Sequence, residues 1–340
     1  MVRFIAVLIA LAVIAAGAYL WENYNFDAPG PPAAAANATE TVVVIKPGTS
    51  LHGIAETLKG AGVIDNSDLF LLGLRLRRAQ DKLKAGEYAI PSGASLHAIM
   101  DILIAGKSIA HKITAAEGLT SDMIARLINA DTVLKGDLVA VPSEGVLLPE
   151  TYLFMRGDTR AEIVARMQKA QDKLIARLWP KRDRNLPYTT IQQAIILASI
   201  VEKETSLPSE RRHIAAIFVN RLRTGMKLQS DPTIIYSLTG GYPLGRGIRA
   251  SELARVTPYN SYAVAGLPPT PICNPGKDAI AAVLNPGTSK DLYFVASGTG
   301  GHYFSATIAD QERHVAELRQ RERIQKTGRI AIPAQPVPHL

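Results

Sequence analysis

Residues 191–205 read IQQAIILASIVEKET, and this stretch decides how the second half of the chain folds. Thr190 precedes it as a candidate N-cap, and the residues that follow predict a helix. The middle of that helix, residues 194–201, is apolar on nearly all sides, which is typical of a helix buried in the centre of a domain. Glu202 follows this apolar run directly.

Glu202 is predicted to lie on the buried side of the helix. At 100° per residue it projects about 20° from Ile195, whereas Glu204 projects about 200° from Glu202, so the two carboxyl groups cannot face one site. A carboxyl group aligned with a buried stripe is desolvated, and desolvation raises its pKa towards the value that a general acid needs. The structural alternative is a solvated Glu-Lys-Glu cluster at a helix end.

Further along the chain, polar and aromatic residues are packed among prolines. A second helix is predicted over 210–224, and Asp231-Pro232 predicts the cap and start of another. The segments TPYNSY (257–262) and GLPPTPICNPG (266–276) then predict rigid loops with outward hydroxyls and amides. Sugar sites are built from such surfaces, because rings stack on aromatics while hydroxyls meet amides.

The N-terminus predicts a membrane segment. Residues 4–21, FIAVLIALAVIAAGAYLW, carry no charge and reach about 27 Å as a helix, near the thickness of the hydrocarbon core. Arg3 precedes the segment and Glu22 follows it, so we expect a cytoplasmic N-terminus and an exported body. We predict an anchor over 1–22 and a Pro/Ala-rich linker over 23–40. A cleaved signal peptide is the alternative, since residues 15–18 are small.

An internal repeat follows the linker. Residues 45–58 (IKPGTSLHGIAETL) align with residues 90–103 (IPSGASLHAIMDIL), and each copy predicts a strand, a turn and a helix capped by Ser50 or Ser95. The two copies predict a small α+β module over 41–110. The start of the first copy resembles LysM modules, which bind glycans containing N-acetylglucosamine. A capped helix with a buried face and no ligand is the alternative.

The charge favours an anionic partner outside the cytoplasm. The 340 residues contain 38 Lys and Arg against 30 Asp and Glu, a net charge of +8. Residues 1–40 contribute −2, so the remaining body carries +10. An exported basic body suits the cell wall or anionic lipid rather than nucleic acid. The single cysteine, Cys273, excludes an intramolecular disulfide and a multi-cysteine metal cluster, and we expect neither a metal nor a cofactor.

Six blocks together carry a family resemblance: LASIVEKET, ERRHIAAIFVNRL, MKLQSDPTIIY, TPYNSY, GLPPTPICNPG and LYFVASGTGGHYFS. In order and spacing, over about residues 40–320, they resemble the YceG-like family of endolytic murein transglycosylases. The resemblance implies that Glu202 is the catalytic acid. It also implies a single-pass protein of the inner membrane with a periplasmic catalytic domain. Cys273 departs from the smaller residues expected there and is interpreted as a tolerated neighbour, not a nucleophile.

The activity that the resemblance implies is cleavage of the MurNAc–GlcNAc bond in nascent peptidoglycan strands. It leaves 1,6-anhydro-MurNAc ends and terminates strand elongation, alongside peptidoglycan synthases as partners. Glu202 is then the single acid and base, and the residues expected to line the glycan cleft are Asn220, Gln229, Asp231, Tyr236, Tyr259 and Asn260.

The predicted fold is α+β throughout. It comprises an N-terminal transmembrane helix, a small LysM-like α+β module, a larger and mainly helical α+β catalytic domain over 111–325, and a flexible tail over 326–340. Two alternatives to the activity stay open. One is a hydrolase that uses Asp231 as a second carboxylate, although this residue already has a role as a helix cap. The other is a non-enzymatic, membrane-anchored protein that binds glycans or acts as a scaffold.

Overall fold

The structure is a computed structural model that describes residues 2–35 and 37–326, and it mixes helices with short two-stranded sheets. The α-helices are α1 Val2–Glu22, α2 Leu51–Gly60, α3 Ser67–Leu76, α4 Leu96–Ala105, α5 Ser121–Ala130, α6 Arg160–Leu178, α7 Ile191–Glu204, α8 Pro208–Arg223, α9 Asp231–Thr239, α10 Ala250–Ala254, α11 Lys277–Leu284 and α12 Ile308–Lys326. The strands are β1 Glu40–Ile45, β2 Gly86–Pro91, β3 Ala110–Thr114, β4 Thr151–Met155, β5 Tyr293–Ala296 and β6 His302–Ser305, paired as β1–β2, β3–β4 and β5–β6. The predicted mixed α and β character is confirmed, and the tail beyond residue 326 lies outside the described residues.

The chain forms two compact units whose segments alternate along the sequence. The first unit contains the residues up to Ile113 together with Val133–Lys135 and Leu153–Asp158. The second contains Thr114–Thr132, Gly136–Tyr152 and the residues from Thr159 onward. The first crossing between the units falls after Ile113, and the chain then returns twice to the first unit. The division into domains at residue 110 stays a prediction.

Helix α1 is long and apolar enough to cross a membrane by length and composition. A short π-helical turn, Asn23–Asp27, continues it and brings Phe26 into the core of the first unit, where its side chain is fully buried. The Phe26 ring stacks on His97 at 5.3 Å, and His97 Nδ1 lies 2.8 Å from Oδ1 of Asp27. This part of the predicted linker thus packs against the folded unit.

The repeat forms two similar strand–turn–helix units in the first unit. Strand β1 pairs antiparallel with β2, with Val43 opposite Tyr88. Ser50 and Ser95 cap α2 and α4 by accepting hydrogen bonds from backbone amides three residues later, which confirms both predicted caps. Whether this module binds glycans remains a prediction.

The segment that returns to the first unit supplies a counter-charge. Glu87 on β2 is buried, and Arg156 donates to it from Nη2 over 3.0 Å. The Arg156 guanidinium lowers the pKa of Glu87, and His111, with Nε2 2.6 Å from the Glu87 carboxylate, lowers it further. The ion pair therefore ties residues 153–158 to β2.

Helix α7 forms the centre of the second unit. All eight residues from Ala194 to Val201 are buried, as the apolar sequence predicts. Thr190 caps the helix together with Gln193 in a reciprocal capping box. Helices α8 and α11 pack against α7 and complete its burial. This packing fixes the end of α7, where Glu202 and Glu204 lie.

Candidate active site

Glu202 lies in the last turn of α7, and a backbone amide binds its half-buried carboxylate. The amide of Gly276 donates to Oε2 over 2.8 Å, and Gly276 is the N-cap of α11. The carboxylate therefore faces the positive end of a helix dipole. Burial is the largest influence on the pKa of Glu202 and raises it, and the negative charge of Glu117 raises it further. The Gly276 hydrogen bond lowers it without cancelling the effect.

Three chain segments meet around this carboxyl group. The amide of Gly118 donates to the carbonyl of Asn274 over 3.1 Å, and Nζ of Lys203 donates to the carbonyl of Gly118 over 3.3 Å. A Cβ atom added at Gly276 would overlap the carboxyl group of Glu117. Position 276 therefore has to be glycine if Glu117 is to stay beside the candidate acid.

Glu204 faces different partners from Glu202. Its carboxyl group accepts a hydrogen bond from Ser230 Oγ. Burial raises the pKa of Glu204 to about 7, Asp231 adds to the rise, and Arg221 opposes it. Both glutamates at the end of α7 are thus desolvated, so desolvation does not distinguish them. Their partners do, since Glu202 meets the loop at Gly276 and Glu204 is held in a polar cluster.

Two of the predicted cleft residues hold the backbone of neighbouring loops. Asn220 Nδ2 donates to the carbonyls of Ser289 and Asp291 over 2.9 and 3.1 Å. Asn260 is 2% exposed, and its Nδ2 donates to carbonyls within residues 252–255. The side-chain amides of both residues are therefore engaged inside the protein.

Gln229 and Asp231 lie at the start of α9. Gln229 is exposed and has a positive φ of 50°, and its amide donates to the carbonyl of Ser261 over 3.1 Å. Asp231 accepts a hydrogen bond from the hydroxyl of Tyr262 over 2.7 Å. The expectation that Asp231 caps this helix is wrong, because Ser230 occupies the N-cap position and Asp231 is the first helical residue.

Tyr236 and Tyr259 form an aromatic pair. Their ring centroids lie 5.1 Å apart, and the hydroxyl of Tyr259 lies 2.7 Å from Oγ1 of Thr270. Burial is the main cause that raises the pKa of Tyr236 to about 12, and the negative charge of Glu144 adds to the rise. This is the one pair of predicted cleft residues that the structure brings into ring contact.

Glu144 is a charged residue of this region that the sequence reasoning did not single out. Its Oε2 accepts from the amide of Ser121 over 3.0 Å, and burial raises its pKa. A cavity of about 480 Å³ borders it. The wall of that cavity includes Gln171, Ile175, Ile191, Gln192, Ile195 and Pro271. The Glu-Gly pair at 144–145 repeats the pair at 117–118, which is the sequence signal that could have drawn attention to it.

Asn274 ties the loops of the site together. It is fully buried, and its Oδ1 accepts from the amides of Gly145 and Leu147 over 3.1 and 3.0 Å. Its Nδ2 donates to Ser121 Oγ over 3.0 Å. Asn274 was expected on an outward polar loop, but its amide group is fully used between three segments.

Cys273 is buried next to Asn274. Its Sγ donates weakly to the carbonyl of Ser199 over 3.4 Å, and burial raises the pKa of the thiol. A thiol in this environment stays protonated and is a poor nucleophile.

Comparisons with known proteins agree with the sequence blocks. The family model of the YceG-like family matches residues 43–317. The chain is 29% identical over 363 aligned residues to a protein of Streptococcus pneumoniae serotype 2 named endolytic murein transglycosylase. That alignment covers 92% of this chain and 64% of the relative. It is also 28% identical over 333 aligned residues to a Bacillus subtilis protein of the same name. That alignment covers 88% of this chain and 90% of the relative.

A solved structure agrees with these relatives. The crystal structure of a Listeria monocytogenes protein described as YceG-like superposes with a TM-score of 0.50 at 29% sequence identity, covering 81% of this chain and 98% of that one. The chain spans less than two thirds of the length of the Streptococcus relative and nine tenths of that of the Bacillus relative. On the match to residues 43–317, the chain belongs to the YceG-like family.

Proposed function

We propose that the chain is a lytic transglycosylase that cleaves the MurNAc–GlcNAc bond of nascent peptidoglycan strands, with Glu202 as its single acid and base. The observation that carries the proposal is the state of Glu202. This carboxyl group is half-buried, its pKa is raised by burial, and a helix-terminal amide orients it. The names of the Streptococcus and Bacillus relatives support the same activity.

The proposed reaction needs one carboxyl group and no water. Protonated Glu202 donates its proton to the glycosidic oxygen as the bond from MurNAc C1 to that oxygen breaks. The carboxylate left behind takes the proton of the C6 hydroxyl of the same sugar, and O6 bonds to C1 to close a 1,6-anhydro ring. The carboxyl group is regenerated, so the step is balanced within one sugar and one side chain.

The amide of Gly276 would act in the second half of this cycle. It binds the carboxylate form of Glu202, which is the form that must accept the proton from the C6 hydroxyl. The burial that raises the pKa acts in the first half, because it favours the protonated form. The two opposing influences suit a group that has to serve first as acid and then as base.

The glycan is proposed to lie against Tyr236, Tyr259 and the exposed Gln229. The aromatic pair offers faces for sugar rings. Asn220 and Asn260 would shape the cleft through the loops whose carbonyls they bind. The cavity beside Glu144 offers further polar wall for the same strand.

Product analysis with purified glycan strands tests the activity. The full chain in detergent should release anhydro ends, and Glu202→Gln should abolish them. Glu204→Gln is the matched control on the same helix end and should retain turnover. Normal turnover by Glu202→Gln would overturn the assignment, whatever the activity of Glu204→Gln.

The hydrolase alternative predicts different products. A hydrolase uses two carboxyl groups and leaves reducing ends. The two groups lie about 5 Å apart when the second is the nucleophile and water then releases the sugar, and about 6.5–9.5 Å apart when the second activates water directly. Asp231, the second carboxylate that the sequence suggests, already binds the Tyr262 hydroxyl and acts on the pKa of Glu204. Glu117 is the carboxylate that raises the pKa of Glu202. Reducing ends that disappear in Glu117→Gln or Asp231→Asn would favour hydrolysis.

The non-enzymatic alternative is separated by the same assay. A scaffold or glycan-binding protein would release no fragments, while the module over 41–110 would still retain glycan. Binding of N-acetylglucosamine oligomers to the full chain tests that module. No saturable binding would remove its proposed LysM-like role.

Helix α1 is proposed to anchor the chain in the inner membrane, with the N-terminus cytoplasmic and both units in the periplasm. Its length and composition support a single crossing. A carbonate wash should leave the protein in the membrane fraction, and release into the supernatant would favour a cleaved signal peptide. At that membrane the expected partners are nascent glycan strands and the peptidoglycan synthases.

A further inference from the structure

Arg211, on the first turns of α8, is a buried cation with few partners. The residue is 6% exposed, and its guanidinium forms no hydrogen bond to the part of the chain that the structure describes. Its one ion pair joins Nη1 to Oδ2 of Asp278 over 3.6 Å, which is beyond hydrogen-bond distance. The Asp278 side chain is 57% exposed. A guanidinium carries five N–H donors, so this arrangement leaves most of them unused.

A cavity of about 340 Å³ adjoins this guanidinium. Its lining includes Pro208, Arg211, Arg212, Asp278, Ala281 and Ala282. Arg212 donates only to the backbone carbonyls of Asn285 and Pro286, so no carboxylate neutralises it among the described residues. Two arginines and one aspartate give the wall a net positive charge. Ala281 and Ala282 are apolar residues of the same wall.

Helix α11 contributes to both the cavity and the candidate active site. Gly276, the N-cap of this helix, binds the Glu202 carboxylate, and Asp278 lies in its first turn and faces Arg211. The positive charge of Arg211 also acts on Glu202. A ligand group in the cavity and a sugar bound at Glu202 would therefore border the same helix.

We infer that this cavity is a subsite for a carboxylate of the stem peptide that the MurNAc residue carries, an inference that rests on the proposed function. A guanidinium fork binds a carboxylate through two parallel hydrogen bonds, which would use the free donors of Arg211. The stem is attached through a lactyl group and contains alanine, so its methyl groups match the apolar residues of the wall. Asp278 would turn outward to solvent as the ligand carboxylate replaces it.

A binding experiment with the inactive Glu202→Gln full chain in detergent tests the subsite. The probes are MurNAc-pentapeptide and the same compound with its peptide carboxylates amidated. We expect the acidic probe to bind at least about tenfold more tightly, and we expect this preference to shrink as salt is added. Arg211→Ala should remove most of the preference, and Asp278→Asn should increase it because the competing carboxylate is gone.

Each outcome bears on the inference. Equal affinity for the two probes, or a preference that survives in Arg211→Ala, overturns it. If Arg211→Ala does not fold, an unchanged preference in Asp278→Asn overturns it instead, since that change lies on a half-exposed side chain. The activity is judged separately by the Glu202→Gln product assay. If the Glu202→Gln chain shows no carboxylate preference while the unsubstituted chain still forms anhydro ends, the subsite alone is rejected.

Discussion

The amide of Gly276 lies 2.8 Å from Oε2 of Glu202, and the carboxyl group of Glu117 occupies the space where a side chain at position 276 would stand. One glycine thus provides a donor to the candidate acid and room for a second carboxyl group. The protonation of Glu202 is set by these opposing neighbours together with its burial.

Glu117→Gln should move the alkaline limb of the pH–rate profile to lower pH. The negative charge of Glu117 raises the pKa of Glu202, so its removal lowers that pKa, and the protonated acid is then lost at a lower pH. Lys203→Gln is the opposite change, because Lys203 lowers the same pKa, and it should move the limb to higher pH. The profile of anhydro-end formation measures both. Shifts of the same sign in the two variants would contradict this account.

Gly276→Ala should lower activity by about a hundredfold while the protein stays folded. The added methyl group overlaps Glu117 and forces one of the groups around Glu202 to move, and a displacement of about 1 Å at a reacting group has an effect of this size. Steady-state rates of the full chain test it. Gly247→Ala is the matched control, since a Cβ there meets open space. A Glu117→Ala change added to Gly276→Ala should recover part of the rate.

Glu204 should make the second unit less stable as pH rises from about 4.5 to 7. Its folded-state pKa is about 7 against an ordinary value of 4.5 for glutamate, so the folded protein binds the proton more tightly than the unfolded chain does. Stability from this group is therefore fully present at low pH, and about 3 kcal/mol of it is lost across that window. Glu204→Gln should remove this loss. Denaturant unfolding at pH 5 and pH 8 measures the free energy of unfolding, with the exposed Glu312→Gln as control. An equal change of that free energy between the two pH values in wild type and in Glu204→Gln would refute the prediction.

Asn274→Leu should destabilise the second unit by at least about 3 kcal/mol. The change leaves the amides of Gly145 and Leu147 and the hydroxyl of Ser121 without their buried partner, and each such group costs about 1–3 kcal/mol. Chemical unfolding of the full chain measures the effect. Asn185→Leu, on an exposed loop, should change stability by less than about 0.5 kcal/mol. Similar losses of stability in the two variants would show that the hydrogen bonds of Asn274 do not stabilise the second unit.

Local patterns in the sequence predicted the elements whose causes are local. The apolar run 194–201 is a buried helix, and Ser50 and Ser95 are N-caps, because periodicity and capping depend on residues within a few positions. The relation between the two strand–turn–helix copies was likewise visible as a repeat.

Contacts between distant segments were not predictable in the same way. The side chain of Asn274 binds backbone amides 127 and 129 residues away in sequence. No nearby residue distinguishes a side chain that joins loops inside the protein from one that faces outward to bind sugar. Phe26 lies in a stretch whose Pro/Ala composition indicates a spacer, yet its ring enters the core of the first unit. The helical wheel separated Glu202 from Glu204 correctly in direction, but it could not show that a polar cluster also buries Glu204.

The alternation of the two units along the chain affects the order in which they can fold during synthesis. Glu87 sits on a strand of the first unit, and its counter-charge, Arg156, is made 69 residues later, after the first stretches of the second unit. A chain that emerges N-terminus first therefore holds Glu87 without its arginine until residue 156 has appeared. The first unit is complete in sequence only at residue 158, after two stretches of the second unit have been made, and a break in the chain between residues 114 and 152 would therefore separate parts of both units.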